Sequence, residues 1–186
     1  RKSLDDVLNR LIHDEQKMDT AFRDVDVVIH LAAKVDEVAS VESGDEFMRA
    51  NVLGTKNVIE FCVKHQVKLL FFSSRTAVRP TTWYGLSKAL GESLVRFYGK
   101  QYGLQAVILR PGNVYDSVGN NRLGKRVDLS RGRNYPFERL FMDVERIIAS
   151  RYWRSTTVRI ITPRFFIRDI LLYWPRRIRN KLKNIV

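Results

Sequence analysis

Apolar residues along this chain fall into two patterns that take turns, continuous runs and helical stripes. The runs are VDVVIHLAA (25–33), VKLLFFSS (67–74) and QAVILRPGNVY (105–115). Unbroken apolar, β-branched stretches of this length predict strands covered on both faces. Between them lie stripes at helical spacing. Leu4, Val7, Leu8 and Leu11 follow the N-cap candidate Ser3; Phe47, Ala50, Val58, Phe61 and Cys62 mark a helix over about 43–65; and Leu86, Leu90, Leu94 and Phe97 mark one from Tyr84 that Gly103 ends. Strand, helix, strand, helix, strand with short joints predicts βαβ crossovers and a parallel sheet of the α/β class. Beyond Asn113 the pattern is looser. Residues 117–134 read as a polar, glycine-bearing loop, 137–153 as a helix, 156–166 as one more strand, and 168–186 as a basic amphipathic stretch interrupted by Pro175.

Composition changes that picture in two ways. At 186 residues and 45% apolar content the chain is long enough for about one domain with a real core. Its net charge of +13 is lopsided: residues 122–186 hold 17 Lys and Arg against 5 Asp and Glu, so the first 121 are nearly neutral. That asymmetry divides the chain into 1–121 and a basic segment, 122–186. The segment suits a membrane surface, an acidic partner or a phosphate-bearing substrate, or is simply a solvated face. No nucleic-acid-binding motif is visible, and Tyr152, Trp153 and Trp174 among the arginines read as packing or interfacial residues. With Cys62 the one cysteine, no intramolecular disulfide can form, and a reducing, cytoplasmic location is expected. No apolar run reaches the ~20 residues of a membrane span. His13, His30 and His65 have no carboxylate or cysteine at metal-ligand spacing, so no metal is expected, and His30 reads as a strand residue with a satisfied hydrogen bond.

The candidate chemistry lies at the carboxyl ends of the strands, where open α/β sheets bind ligands. HLAA offers the small Ala32 and Ala33, the second run ends in Ser73 and Ser74, and the third ends in RPGNV. Tyr84 and Lys88 are four apart, so a helix puts them on one face. An ammonium beside a phenol favours the phenolate, drawing a pKa normally near ~10 toward values useful in acid/base work. With a serine hydroxyl to hold the substrate oxygen, this trio could move a proton on an alcohol while a nicotinamide exchanges the hydride. The spacing alone is weak, since seven tyrosines give roughly 0.4 such matches by chance.

Together the segments DVDVVIHLAAKV, NVLGTKNVIEFC, SS, YGLSK and LRPGNVY resemble, in order, the extended short-chain dehydrogenase/reductase family of NAD(P)-dependent epimerases and dehydratases of nucleotide sugars. The compact SSRTAVRPTTWYGLSK is similar to the polysaccharide-biosynthesis branch, the UDP-N-acetylglucosamine 4,6-dehydratase-like proteins. The resemblance implies a Rossmann-like, doubly wound parallel sheet, with residues 1–121 as a partial NAD(P)-binding domain and 122–186 on the substrate side. It implies Tyr84 as acid/base, Lys88 on the nicotinamide ribose, and Ser74 on the substrate. Leu31, Ala32, Ala33, Asn51, Ser73, Gly112, Asn113 and Val114 would line the NAD or NADP. It also implies a nucleotide-sugar substrate, and self-association into a homo-oligomer stays open.

Two departures shape the expectations. Where the dehydratases place threonine, aspartate and lysine, this chain has Ser74, Arg75 and Thr76. An arginine has no accessible basic form to take or deliver the proton of an elimination, so oxidation, reduction or C4 epimerisation is expected instead. No G-x-x-G-x-x-G loop precedes Val25, and only Asp14 stands near the place of an adenine-reading aspartate. Two explanations are open. Either the first βαβ unit is cut away, which the Arg1 start favours, or the chain is a degenerate relative serving as a non-catalytic scaffold. Both predict weak or no NAD(P) binding by these 186 residues alone.

Overall fold

A computed structural model of the chain describes residues 14–35, 44–115, 134–150, 153 and 159–161. The helix expected after Ser3, the loop over 117–133 and the basic stretch 168–186 lie outside the described residues. Helix α1 (Glu15–Ala21), capped by the Asp14 carboxylate on Lys17 N, leads into strand β1 (Val27–His30). Helix α2 (Gly44–Phe47) passes through a π-helical stretch, Met48–Leu53, straight into α3 (Gly54–Lys64). Strand β2 (Lys68–Phe72) is followed by a 3₁₀ turn (Arg75–Val78), helix α4 (Trp83–Tyr102) and strand β3 (Ala106–Leu109). Short strands β4 (Asn113–Tyr115) and β5 (Asn134–Pro136), helix α5 (Phe137–Ala149) and strand β6 (Arg159–Ile161) complete the described elements.

The main sheet has the order β1-β2-β3-β6, every neighbouring pair parallel, and β4 pairs with β5 in a separate two-stranded parallel ladder. Strand alternation explains the continuous apolar runs. Leu69, Phe71, Ala106 and Ile108 point to one face and pack with Met18, Phe22, Val58, Ile59, Cys62 and Val95. Their neighbours Leu70, Phe72, Val107 and Leu109 point to the other, against Leu140, Ile147 and Trp153. Residues of segment 122–186 thus supply both the fourth strand and the helix on the second face. Trp153 is a packing residue, its indole N–H donating to Ile147 O at 2.9 Å.

One expectation needs correction. The run at 25–33 predicts a strand buried on both faces, and β1 does meet both cores, Val28 the first and Val27 the second. The cover is partial, however: only His30 of β1 is buried, Ile29 is 38% exposed, and β1 stands first in the sheet order with no described strand on its outer edge. The helix marked by Leu86, Leu90, Leu94 and Phe97 is present as α4, though another set of residues forms its buried face: Phe97 is 52% exposed, and the buried residues are Tyr84, Gly85, Ser87, Lys88, Gly91, Glu92, Val95 and Gly99. Small residues let the helix sit close to the sheet. A Cβ on Gly91 would stand 2.8 Å from Phe71 Cζ, inside contact distance, so any other residue here would push the buried Phe71 ring aside. Gly103 ends α4 in the left-handed conformation, φ 70°, as its position predicts.

Candidate active site

Two adjacent serines end β2, and strand alternation sends them to different tasks. Ser73 is buried and its hydroxyl donates to Glu92 Oε1 at 2.6 Å. Ser74, half-buried, caps the 3₁₀ turn: its Oγ accepts from Thr76 N at 3.2 Å and from the Thr76 hydroxyl at 2.9 Å. That turn packs on the start of α4, because a Cβ on Gly85 would meet Thr76 O at 3.0 Å and Thr76 Cβ at 3.3 Å. The turn carrying Ser74 and the turn carrying Tyr84 are therefore one packed unit.

Helix α4 starts where Thr82 Oγ1 accepts from Gly85 N, at 3.1 Å, so the cap fixes Tyr84 in the first turn. Tyr84 is buried, and Lys88, one turn on, is only 4% exposed. The Lys88 ammonium donates to Phe72 O at 2.8 Å and sits over the Phe71 ring, 5.2 Å from its centroid. It is thereby anchored at the carboxyl end of β2, beside Ser73 and Ser74. Burial penalises its charge and draws its pKa down to about 8. His30, at the end of β1, is buried as well. Its Nε2 is 2.9 Å from Thr55 Oγ1, and burial, with the Lys88 charge as a lesser cause, pushes its pKa down to about 3. His30 is therefore a neutral hydrogen-bonding residue at ordinary pH.

Asn51 lies in the π-helical stretch, where the wider turn carries its amide inward. Its Oδ1 accepts from Lys34 N at 2.7 Å, and its Nδ2 donates to Lys34 O at 3.0 Å and to Ser87 Oγ at 2.9 Å. Ser87 in turn donates to Tyr84 O at 2.8 Å. The amide thus ties the loop after β1, which holds Leu31, Ala32 and Ala33, to the turn of α4 that holds Tyr84. Ala32 and Ala33 are half-buried, while Leu31 is 59% exposed. Lys34 also forms an ion pair with Glu46. At the third strand end, half-buried Gly112 leads into β4, which contains Asn113 and Val114; Val114 packs on the second core.

Sequence reasoning missed Glu92, Arg110, Ser87 and Thr76. Arg110 binds the Glu92 carboxylate through both oxygens, with Nε to Oε1 at 2.6 Å, and Arg96 adds a contact at 3.2 Å. Burial alone would raise the Glu92 pKa, but the bonds from Arg110 and Ser73 outweigh it and the pKa is lowered. One signal was available: Tyr84, Lys88 and Glu92 are spaced i, i+4, i+8 on one face. Among the sequence candidates, then, Ser73 and Asn51 spend their side chains on protein partners, while Ser74, Tyr84 and Lys88 gather where β2 meets α4. Asp14 spends its carboxylate on α1. A separate open cavity, lined by residues such as Asp24, Asp26 and His65, opens at the amino end of β1, away from this group.

A parallel sheet covered on both faces, with polar side chains gathered at its strand ends, is the architecture of a Rossmann-like α/β protein. The chain belongs to the NAD dependent epimerase/dehydratase family, whose model matches residues 5–129. It is 33% identical over 131 residues to the UDP-glucose 4-epimerase of Halalkalibacterium halodurans, covering 61% of this chain and 39% of that protein. It is 30% identical over 113 residues to the inverting UDP-N-acetylglucosamine 4,6-dehydratase of Campylobacter jejuni, covering 59% of this chain and 34% of that one. Among solved structures, the Thermus thermophilus UDP-glucose 4-epimerase in complex with NAD superposes with a TM-score of 0.52 at 32% identity, covering 56% of this chain and 40% of that one. The chain thus spans well under half the length of each of these relatives.

Proposed function

We propose that the protein carrying this chain is an NAD(P)-dependent oxidoreductase of nucleotide sugars, acting by oxidation and reduction or C4 epimerisation. The observation that supports this best is the Lys88 ammonium, buried one helical turn from Tyr84 and anchored on Phe72 O at a strand end. Burying a lysine is costly unless its charge is used. Only one of its three donors is engaged by that carbonyl, so the others suit ribose hydroxyls. Ala32 and Ala33 offer a low wall for the nicotinamide half. The cofactor supplies a hydride acceptor; the protein's part is the proton. The Lys88 charge favours Tyr84 as phenolate, which takes the proton from the sugar hydroxyl and becomes the neutral phenol, while Ser74 holds the same oxygen.

Arg75 and Thr76 supply no carboxylate at that place to remove a proton from the sugar carbon, which favours oxidation, reduction or C4 epimerisation over elimination of water. A membrane-surface contact through the basic segment 122–186, self-association and a cytoplasmic location complete the proposal, supported by composition and family resemblance. Assay of the protein as its gene encodes it, with NAD and UDP-hexoses, should give oxidised or C4-epimerised sugar. A 4-keto-6-deoxy product would overturn the choice of reaction, and no turnover would favour a non-catalytic scaffold.

A further inference from the structure

Thr76 occupies a place that neither capping nor core packing fully explains. A serine hydroxyl has one proton to donate and two lone pairs to accept with. At Ser74 one lone pair accepts the Thr76 backbone N–H at 3.2 Å, and the Thr76 hydroxyl stands 2.9 Å away, placed to fill the other. The backbone bond is the helix cap and any residue but proline would make it. The hydroxyl bond is additional. Thr76 also packs closely on Gly85, the residue after Tyr84, so the backbone that carries its side chain is held against the first turn of α4.

We infer that Thr76 is a positioning residue for the proposed reaction: its hydroxyl fills the second lone pair of Ser74, leaving Ser74 only its own proton to offer the reacting oxygen of the sugar. This rests on the oxidoreductase reading above. The consequence is directional. A Ser74 that can only donate suits an oxygen that accepts, which is the oxygen as it becomes alkoxide and then carbonyl. It suits the starting hydroxyl less, because that group can donate too. The chain from Thr76 through Ser74 to the sugar also polarises each bond by the next. Without the Thr76 hydroxyl, Ser74 could accept from the substrate hydroxyl and hold the ground state in the wrong polarity.

The test is steady-state kinetics of the protein as its gene encodes it, with NAD and its UDP-hexose, for Thr76→Val, Thr76→Ser, Ser74→Ala and the pair Ser74→Ala/Thr76→Val. Thr76→Val keeps the β-branch and the cap, and should lower kcat about tenfold with KM within about twofold. Thr76→Ser should recover most of that loss. In the Ser74→Ala background, Thr76→Val should cost nothing further, which a purely structural role for Thr76 would not produce. Wild-type kcat in Thr76→Val, no recovery in Thr76→Ser, or an equal Thr76→Val loss with and without Ser74 would each overturn the inference alone. No turnover by the wild-type protein would instead overturn the oxidoreductase reading, and this inference with it.

Discussion

The buried face of α4 has two halves built on opposite principles. Its second half is ordinary: Val95 packs into the first core with Leu104 and Ile108, and Gly99 is buried one turn further on. Its first half buries Tyr84, Ser87, Lys88 and Glu92, a phenol, a hydroxyl, an amine and a carboxylate in little over two turns. Its side chains reach out of the helix to strand ends or to a loop beside one: Lys88 to Phe72 O, Glu92 to Ser73 and Arg110, Ser87 to Asn51 and so to Lys34. The apolar half attaches the helix by area. The polar half attaches it by named bonds at particular atoms, which is weaker in net stability but fixes positions, as a site that moves a proton requires.

That contrast can be broken at three residues. The largest effect is expected at Glu92→Ala, which strands the Arg110 charge and frees Ser73; it should cost about 3–5 kcal/mol in denaturant unfolding. Because the Glu92 pKa is lowered, its contribution is fully present above the unfolded carboxylate range and is lost as pH falls from there through the lower folded value, so the gap between wild type and variant should narrow in acid. Val95→Ala, in the apolar half, should cost about 2 kcal/mol at every pH, a cavity effect without a titrating group. A pH-dependent loss at Val95 and a pH-independent one at Glu92 would dissolve the distinction.

The smallest change should have the opposite sign. Lys88 titrates at about 8 in the fold against an ordinary 10.5, so the unfolded chain binds its proton more tightly. Its burial therefore opposes folding below pH 8, and stability rises with pH between about 8 and 10.5. Lys88→Met should raise stability at pH 7 by about 1 kcal/mol, after loss of the bond to Phe72 O, and should flatten the rise above pH 8. A thermal scan across pH that shows Lys88→Met less stable at pH 7 would mean that the ammonium stabilises the fold rather than burdening it.

How much of this was legible in the sequence follows from the same contrast. Continuous apolar runs report double burial, so β2 and β3 could be read directly from KLLFF and AVIL. The run containing Val27, Val28 and Ile29 reads the same way although β1 is half-covered, because a run reports what the residues tolerate and not what stands beside them. The α4 stripe misled for a related reason. Leu86, Leu90 and Leu94 look like a core face, while the true face is coded by small and polar residues whose partners, Phe71, Ser73 and Arg110, are distant in sequence. Tyr84, Lys88 and Ser74 could be singled out from the sequence by residue type, spacing and place after an apolar run, and the structure puts Lys88 at the end of β2 one turn from Tyr84. The bonds of Thr76 to Ser74 and of Glu92 to Ser73 and Arg110 have no local signal in the sequence. Asn51 could be named from the sequence but its bonds could not, since the π-helical turn in which it lies has no pattern in the sequence.

The central claim is that the buried pair on α4 handles the proton of a hydride transfer. Comparing Tyr84→Phe with Lys88→Ala in the protein as its gene encodes it, by turnover of a UDP-hexose and by NAD affinity, tests it most directly. Tyr84→Phe removes only the ionisable oxygen, so turnover should fall by at least about 10²-fold while NAD affinity stays near that of the wild type. Lys88→Ala should damage both, since it removes the ribose donor together with the charge. Equal and mild effects of the two changes, or a Tyr84→Phe variant with full turnover, would contradict the account.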